Sequence, residues 1–245
     1  VRQNIYDDET FFQGYRTLRE KTDNFNNLVE QPAIRAMMPT LAGKIVLDLG
    51  CGFGDLAVYC VTQGAERVVA TDISAKMLAQ ARTQNARPQI EYVQAAMEEL
   101  EFASRSFDLV LSSLALHYIK DFAGLIKSAV GWLRPGAEFV FSIEHPLCTA
   151  QKADQAWVRD EAGNKLYWPV DDYSKEGKRQ FQWYVPGVVK YHRTVSTLLN
   201  VLIQNGLTVT EVREPTASED TIKRLPEYAS TRRVPPFLIV RAIAP

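Results

Sequence analysis

Short apolar runs alternate with amphipathic stretches along most of this chain. Residues 44–49, 67–71, 90–94, 107–112 and 137–143 are runs of aliphatic and β-branched side chains too short for helices. Each predicts a strand of a sheet covered on both faces. Between them, 54–63, 74–85 and 121–133 carry apolar residues at helical spacing, with Ser74 as an N-cap and Leu133-Arg134-Pro135-Gly136 as a stop. Strands alternating with helices predict βαβ units and a mostly parallel sheet. Right-handed crossovers then gather the strand C-termini on one edge, where ligands bind.

The flanks are patterned differently. Residues 4–40 predict two or three helical pieces. Phe11, Phe12, Tyr15 and Leu18 share one face, residues 24–27 interrupt, and Pro32 and Pro39 bracket a helix over 33–38. Residues 146–190 hold three of the four tryptophans among scattered glycine, proline and charge, which predicts loops and short antiparallel strands. A helix is expected over 194–205 with Gly206 as its stop, strands over 208–213 and 237–242, and a loop over 214–235.

The densest chemical signal lies in residues 46–55, VLDLGCGFGD. An apolar strand ends in an acid and a glycine turn, and a helix follows. Glycine lets a main chain approach a nucleotide-like ligand closely. The dinucleotide fingerprint is G-x-G-x-x-G, whereas the spacing here is Gly50-x-Gly52-x-Gly54 with Asp55 next. Asp48 and Asp55 would repel a pyrophosphate and suit a cationic ligand. Asp72 ends the second strand, about twenty residues after the turn, where an acid can accept both hydroxyls of a ribose.

Composition narrows the classes. The 245 residues are 46% hydrophobic and 23% charged, with a formal net charge of −1. One globular domain fits, and the lack of basic excess argues against nucleic acid as a partner. No apolar run reaches the ~18 residues of a membrane span, and the opening residues lack the charged-then-apolar pattern of a secretory leader, so none is expected. Residue 1 is valine, so the natural start is expected upstream. Cys51, Cys60 and Cys148 predict reduced thiols in a cytoplasmic protein, and no metal-ligand spacing is found among the cysteines and histidines.

The D-L-G-C-G-x-G string resembles the first motif of the class I S-adenosylmethionine (SAM) dependent methyltransferases. Phe107 to His117 resembles their fourth motif, with Ser112 and Ser113 where the chain passes the methionine part of SAM. The Asn/Asp-Pro-Pro-aromatic box of adenine-specific nucleic-acid enzymes is absent. The resemblance implies a seven-stranded Rossmann-like α/β sheet, mostly parallel with the last strand antiparallel, helices on both faces and an inserted lid. The single domain 1–245 would divide into a helical cap (1–43), a cofactor-binding core (44–145), the lid (146–193) and a C-terminal helix with strands (194–245).

It also implies SAM as cofactor and a small-molecule acceptor, with a homodimer as a candidate assembly. Asp48, Gly50, Cys51, Gly52 and Gly54 would form the turn beside SAM, and Ile73 and Met77 would sandwich its adenine. Ala96 stands where the family often has Asp, leaving the Met97 N–H and Glu98 to read the base. Tyr15 and Arg19 lie on a segment resembling the helix that closes over the cofactor. Three histidines are candidates for the catalytic base: His145 first, after Glu144 at the end of the fifth strand, His192 second, and His117 as packing or catalysis. Trp157, Tyr167, Trp168, Tyr173, Trp183 and Tyr184 would line the lid. A SAM-binding protein that transfers no methyl group, or consumes SAM itself, is the alternative, followed by a nicotinamide-dependent oxidoreductase.

Overall fold

The computed structural model describes residues 3–151 and 156–245. After α1 (Glu9–Glu20) and α2 (Gln31–Ala36) the alternation begins: β1 (Ile45–Leu49), α3 (Asp55–Thr62), β2 (Arg67–Asp72), α4 (Ala75–Gln84), β3 (Ile90–Gln94), β4 (Phe107–Ser113), α5 (Phe122–Trp132) and β5 (Leu133–Glu144). Then come α6 (Pro146–Thr149), the strands β6 (Val158–Arg159), β7 (Lys165–Tyr167), β8 (Gly177–Trp183) and β9 (Val185–His192), and finally α7 (Val195–Gln204), β10 (Thr208–Arg213), α8 (Glu219–Arg224) and β11 (Phe237–Ile243).

Seven strands form one sheet in the order β10-β11-β5-β4-β1-β2-β3. β11, the last strand, runs antiparallel to both its neighbours, and the pairs from β5 to β3 are parallel. This is the expected methyltransferase sheet. Two apolar layers cover it. Leu125, Ile126, Leu198 and Leu202 of α5 and α7 pack on one face. Ile34 of α2 and Leu56, Ala57 and Cys60 of α3 pack on the other. From β3 the chain crosses back past β1 to β4, so the β1–β4 gap is the topological switch point.

Local chemistry sets the helix starts. Asp8, Ser74, Asp121 and Thr194 each accept a backbone N–H from the first turn of α1, α4, α5 and α7. Pro32 sits in the first turn of α2, which therefore runs from residue 31 rather than 33. A π-helical turn, Asn26–Glu30, precedes it.

The segment 214–235 is not the expected loop. It holds α8, capped by Ser218, and a 3-10 run, Pro226–Arg232. Ala217, Ile222, Leu225 and Tyr228 pack there with Val29 and Phe237. Val29 lies about 190 residues away in sequence and Phe237 on the last strand, so local periodicity could not reveal this small core.

The insertion holds the expected short strands as two antiparallel hairpins, β6–β7 and β8–β9. The second folds back on the N-terminal segment. Val189 N donates to Gln3 Oε1 at 2.7 Å, and the Trp183 ring lies 5.1 Å from Phe11 and 6.1 Å from Tyr15.

Candidate functional site

A cavity of about 810 Å³ opens at the C-terminal edge of the sheet. Its floor is the turn after β1. Gly50 and Gly52 have φ of +75° and +55°, a region L side chains rarely adopt. A Cβ on Gly50 would lie 2.5 Å from Ala115 Cβ and 2.6 Å from Met97 Cε. The turn is pinned to β2 by Gly50 N and Cys51 N, which both donate to Thr71 O. Asp72 completes the hold: its Oδ2 accepts from Gly52 N at 2.9 Å and its Oδ1 from Ser74 N at 2.8 Å. One carboxylate therefore shapes both the turn and the start of α4, and its remaining lone pairs face the cavity.

Asp48 has no such partners. It is fully buried beneath the turn, lines the cavity, and neither carboxylate oxygen makes a hydrogen bond. Burial pushes its carboxyl up to about 7, with Asp72, Asp55 and Glu30 adding like-charge repulsion. Buried carboxylates are normally paired, so this pair of oxygens marks a place for a cationic group. Across the cavity mouth Arg19 Nη2 donates to Asp55 Oδ2 at 2.9 Å, tying α1 to α3.

The wall toward β4 and β5 is built differently. Leu114 has φ of +52°, held by its N–H donating to Ser142 Oγ at 3.1 Å, and this bend turns the chain around the cavity. Glu30 lies fully buried behind it. Its Oε1 accepts from Ser113 Oγ at 2.9 Å and Ser142 Oγ at 2.5 Å, and its Oε2 from Gln31 Nε2 at 2.8 Å. His117, Tyr118, Glu144 and Tyr191 line this side, and Tyr6 reaches it from the N-terminal segment. The Tyr6 and Tyr118 hydroxyls are 3.2 Å apart.

Comparison with known proteins decides among the ligands this geometry would accept. A family model for a methyltransferase domain matches residues 47–141. The solved structure of a SAM-dependent methyltransferase from Mesorhizobium loti is 42% identical, with a TM-score of 0.82 over 87% of this chain and 97% of that one. The chain belongs to the class I SAM-dependent methyltransferases. An uncharacterized protein of Haemophilus influenzae is 31% identical over 98% of this chain and 96% of its own length. A malonyl-[acyl-carrier protein] O-methyltransferase of Enterobacter lignolyticus is 40% identical over 45% of this chain and 43% of that protein.

The cofactor of this methyltransferase is SAM, and the residues present fit it. The unpartnered Asp48 oxygens suit a ligand with a sulfonium and an ammonium, and the Gly50 cradle leaves no room for a Cβ. Tyr15, Arg19, Asp48, Gly50, Cys51, Gly52, Asp72, Ile73, Met77, Ala96, Met97, Glu98 and Ser113 all line the cavity. Gly54 and Ser112 do not. Gly54 has φ of +81° at the start of α3, where a Cβ would collide with the Tyr92 hydroxyl. Ser112 points into the sheet and donates to Leu49 O at 2.8 Å. No helix among the described residues is long and apolar enough to cross a membrane, and no cluster of ligand residues there could hold a metal.

Two of the three candidate histidines lie away from the cavity. His145 accepts from Leu147 N through Nδ1 at 3.1 Å and holds Glu214 Oε1 through Nε2 at 2.7 Å. Adjacent strand residues face opposite ways, so with Glu144 on the cavity His145 turns behind it. His192 Nε2 donates to Tyr173 O at 2.8 Å and its Nδ1 accepts from Thr149 Oγ1 at 2.9 Å, with the residue fully buried. It is on the opposite side of β9 from Tyr191. His192 knits the insertion together, and His145 ties the insertion's first turn to Glu214. His145→Ala is expected to cost about 1–2 kcal/mol of stability through the lost cap and the lost hydrogen bond to Glu214 while leaving turnover within about twofold of wild type. Denaturant titration and single-turnover kinetics check the two halves.

His117 is the histidine at the cavity. Burial holds its imidazole down at about 4, so it is neutral at physiological pH. Glu144 N approaches Nδ1 at 3.5 Å, which puts the proton on Nε2. His117 is therefore set up to donate a hydrogen bond. Of the lid aromatics, Trp183 lines the cavity. Trp157 and Trp168 pack on each other at 5.5 Å, and the Tyr173 hydroxyl takes Val195 N at 3.1 Å. Tyr6 and Tyr118, on the wall toward β4 and β5, are not singled out by the sequence. They reach the cavity through tertiary placement, and only Glu144, beside His145, carried a local signal.

Proposed function

We propose that this enzyme transfers the SAM methyl group to a small molecule held over the ends of β4 and β5, with SAM over the ends of β1, β2 and β3. The observation that carries this is the buried, unpartnered Asp48 beside the glycine turn. SAM brings a methyl group already activated by a sulfonium, so the chain's task is placement. Holding nucleophile and methyl carbon in line is worth up to roughly 7–11 kcal/mol.

Asp72 accepts the ribose hydroxyls while its two backbone donors keep it aimed. Ile73, Met77 and Met97 grip the adenine, with Ala96 and Glu98 along its edge. Asp48 faces the positive end of the ligand. Arg19, which has five donors and uses one on Asp55, binds the amino-acid carboxylate. Tyr15 and Trp183 close the roof, with 1–43 acting as cap, 44–145 as core, 146–193 as lid and 194–245 completing the sheet. The three free thiols suit a reducing compartment, the cytoplasm.

Arg19→Gln is expected to weaken SAM binding by about 1.5–3 kcal/mol, the worth of a charged hydrogen bond, as read by calorimetry. The transfer itself is tested by incubating the protein with methyl-labelled SAM and a small-molecule extract. Formation of S-adenosylhomocysteine (SAH) only when extract is present supports it. SAH formed equally without extract favours hydrolysis of SAM itself.

A further inference from the structure

Glu144 ends β5 on the acceptor side of the cavity. Its Oε1 lies 2.5 Å from Lys190 Nζ. Its Oε2 makes no hydrogen bond to any described residue and is not sealed from solvent. Lys190 is itself buried, with its ammonium 4.9 Å over the Phe181 ring and 5.2 Å over that of Trp183. An ammonium packed in this way is not free to swing out to water. Burial alone would raise the Glu144 carboxyl, but the Lys190 ammonium beside it outweighs this and holds the group below its ordinary range. The result is a fixed carboxylate with one oxygen open to the cavity.

We propose that Glu144 is the acceptor-side carboxylate: its open Oε2 takes the N–H or O–H of a neutral, proton-bearing acceptor, so the substrate class is an amine, an N–H heterocycle or a hydroxyl and not a carboxylate. This rests on the methyltransferase reading above. An ionised carboxylate offers only acceptor lone pairs. A carboxylate substrate brings no proton to it and meets like-charge repulsion from it. The aromatic wall of Tyr6, Tyr118 and Tyr191 suits a flat apolar body.

The charge balance of the transfer favours the same group. The acceptor's lone pair forms the bond to the methyl carbon. The carbon–sulfur bond breaks and its electron pair stays on sulfur. Positive charge thus moves from sulfur to the acceptor atom, and a fixed carboxylate beside that atom stabilises it as it develops. The acceptor's proton then passes to Glu144 Oε2 and on to water. Even a weak base suffices, because the methylated acceptor is a much stronger acid than the acceptor was. His117, with its proton on Nε2, positions the acceptor and removes nothing.

The test uses the whole chain loaded with SAH and two matched probes, aniline and benzoate, with binding followed by ligand-observed NMR at pH 7.5. SAH binding is measured first by calorimetry, so that loss of the cofactor site is told apart from failure of the acceptor proposal. Wild type is expected to hold aniline at least about tenfold more tightly than benzoate. Glu144→Gln alone would strand the Lys190 charge, so the decisive variant is Glu144→Gln with Lys190→Met, which keeps the net charge. There the two probes are expected to bind within about twofold of each other. A wild-type preference under about tenfold, an unchanged preference in the double variant, or no aniline binding at about 20 mM overturns the proposal.

Discussion

Asp48→Asn is expected to make the unliganded protein more stable and to weaken its grip on SAM. The Asp48 carboxyl stands at about 7 in the folded chain against an ordinary value of 3.8. A raised acid binds its proton more tightly in the folded state, so its contribution to stability declines as pH rises from about 4 to about 7 and is flat above. At about 1.4 kcal/mol per unit this penalty is at most about 4 kcal/mol. A buried asparagine amide keeps part of the desolvation cost, which leaves a gain of roughly 1–3 kcal/mol above pH 7 and little near pH 4. In a chain of this size that is several degrees in melting temperature.

The ligand responds in the opposite sense. A cation prefers the ionised carboxylate, so SAM affinity should climb about tenfold per pH unit below 7 and level off above. Asp72 is also raised by burial, so the wild-type slope includes a smaller part that Asp48→Asn retains. Calorimetric titrations from pH 5.5 to 8 read the profile. A variant that is less stable at pH 8, or whose affinity profile is as steep as wild type, would remove Asp48 from the ligand's surroundings.

Asp72→Ala should cost more affinity than any other single change in the site, about 2–4 kcal/mol, or roughly 30- to 1000-fold. It removes two charged hydrogen bonds to the ribose and releases the Gly52 and Ser74 N–H groups that shape the turn. Asp72→Asn separates these effects poorly by design. One face of its amide carries N–H donors and would meet the Gly52 or Ser74 N–H head on. Asparagine is therefore expected to be nearly as damaging as alanine, and both variants should lose a few degrees of melting temperature because an N–H of the turn is left without its acceptor. An affinity within threefold of wild type for Asp72→Asn would show that the carboxylate takes no ribose hydroxyl.

The glycine turn and Asp72, which line the cavity, are legible in the sequence because their constraints are local. The glycine turn needs positive φ at Gly50 and Gly52, and Asp72 follows at a fixed remove through one helix and one strand. The wall toward β4 and β5 is not. β5 is buried on both faces over Phe139 to Ile143, so no alternation of polar and apolar residues tells which of Glu144 and His145 faces the cavity. The adjacent pair Ser112 and Ser113 hides the same parity. Gln3 and Tyr6 arrive through contacts more than a hundred residues away in sequence, with Val189 and Tyr118. α8 escaped notice because its few apolar positions pack on residues from both ends of the chain.

A crystal structure of the protein with SAH tests the central assignment most directly. The expected result is both ribose hydroxyls on the Asp72 carboxylate and the ammonium end of the ligand on the Asp48 side of the turn. SAH bound elsewhere, or bound here with Asp48 still facing only protein, would contradict it.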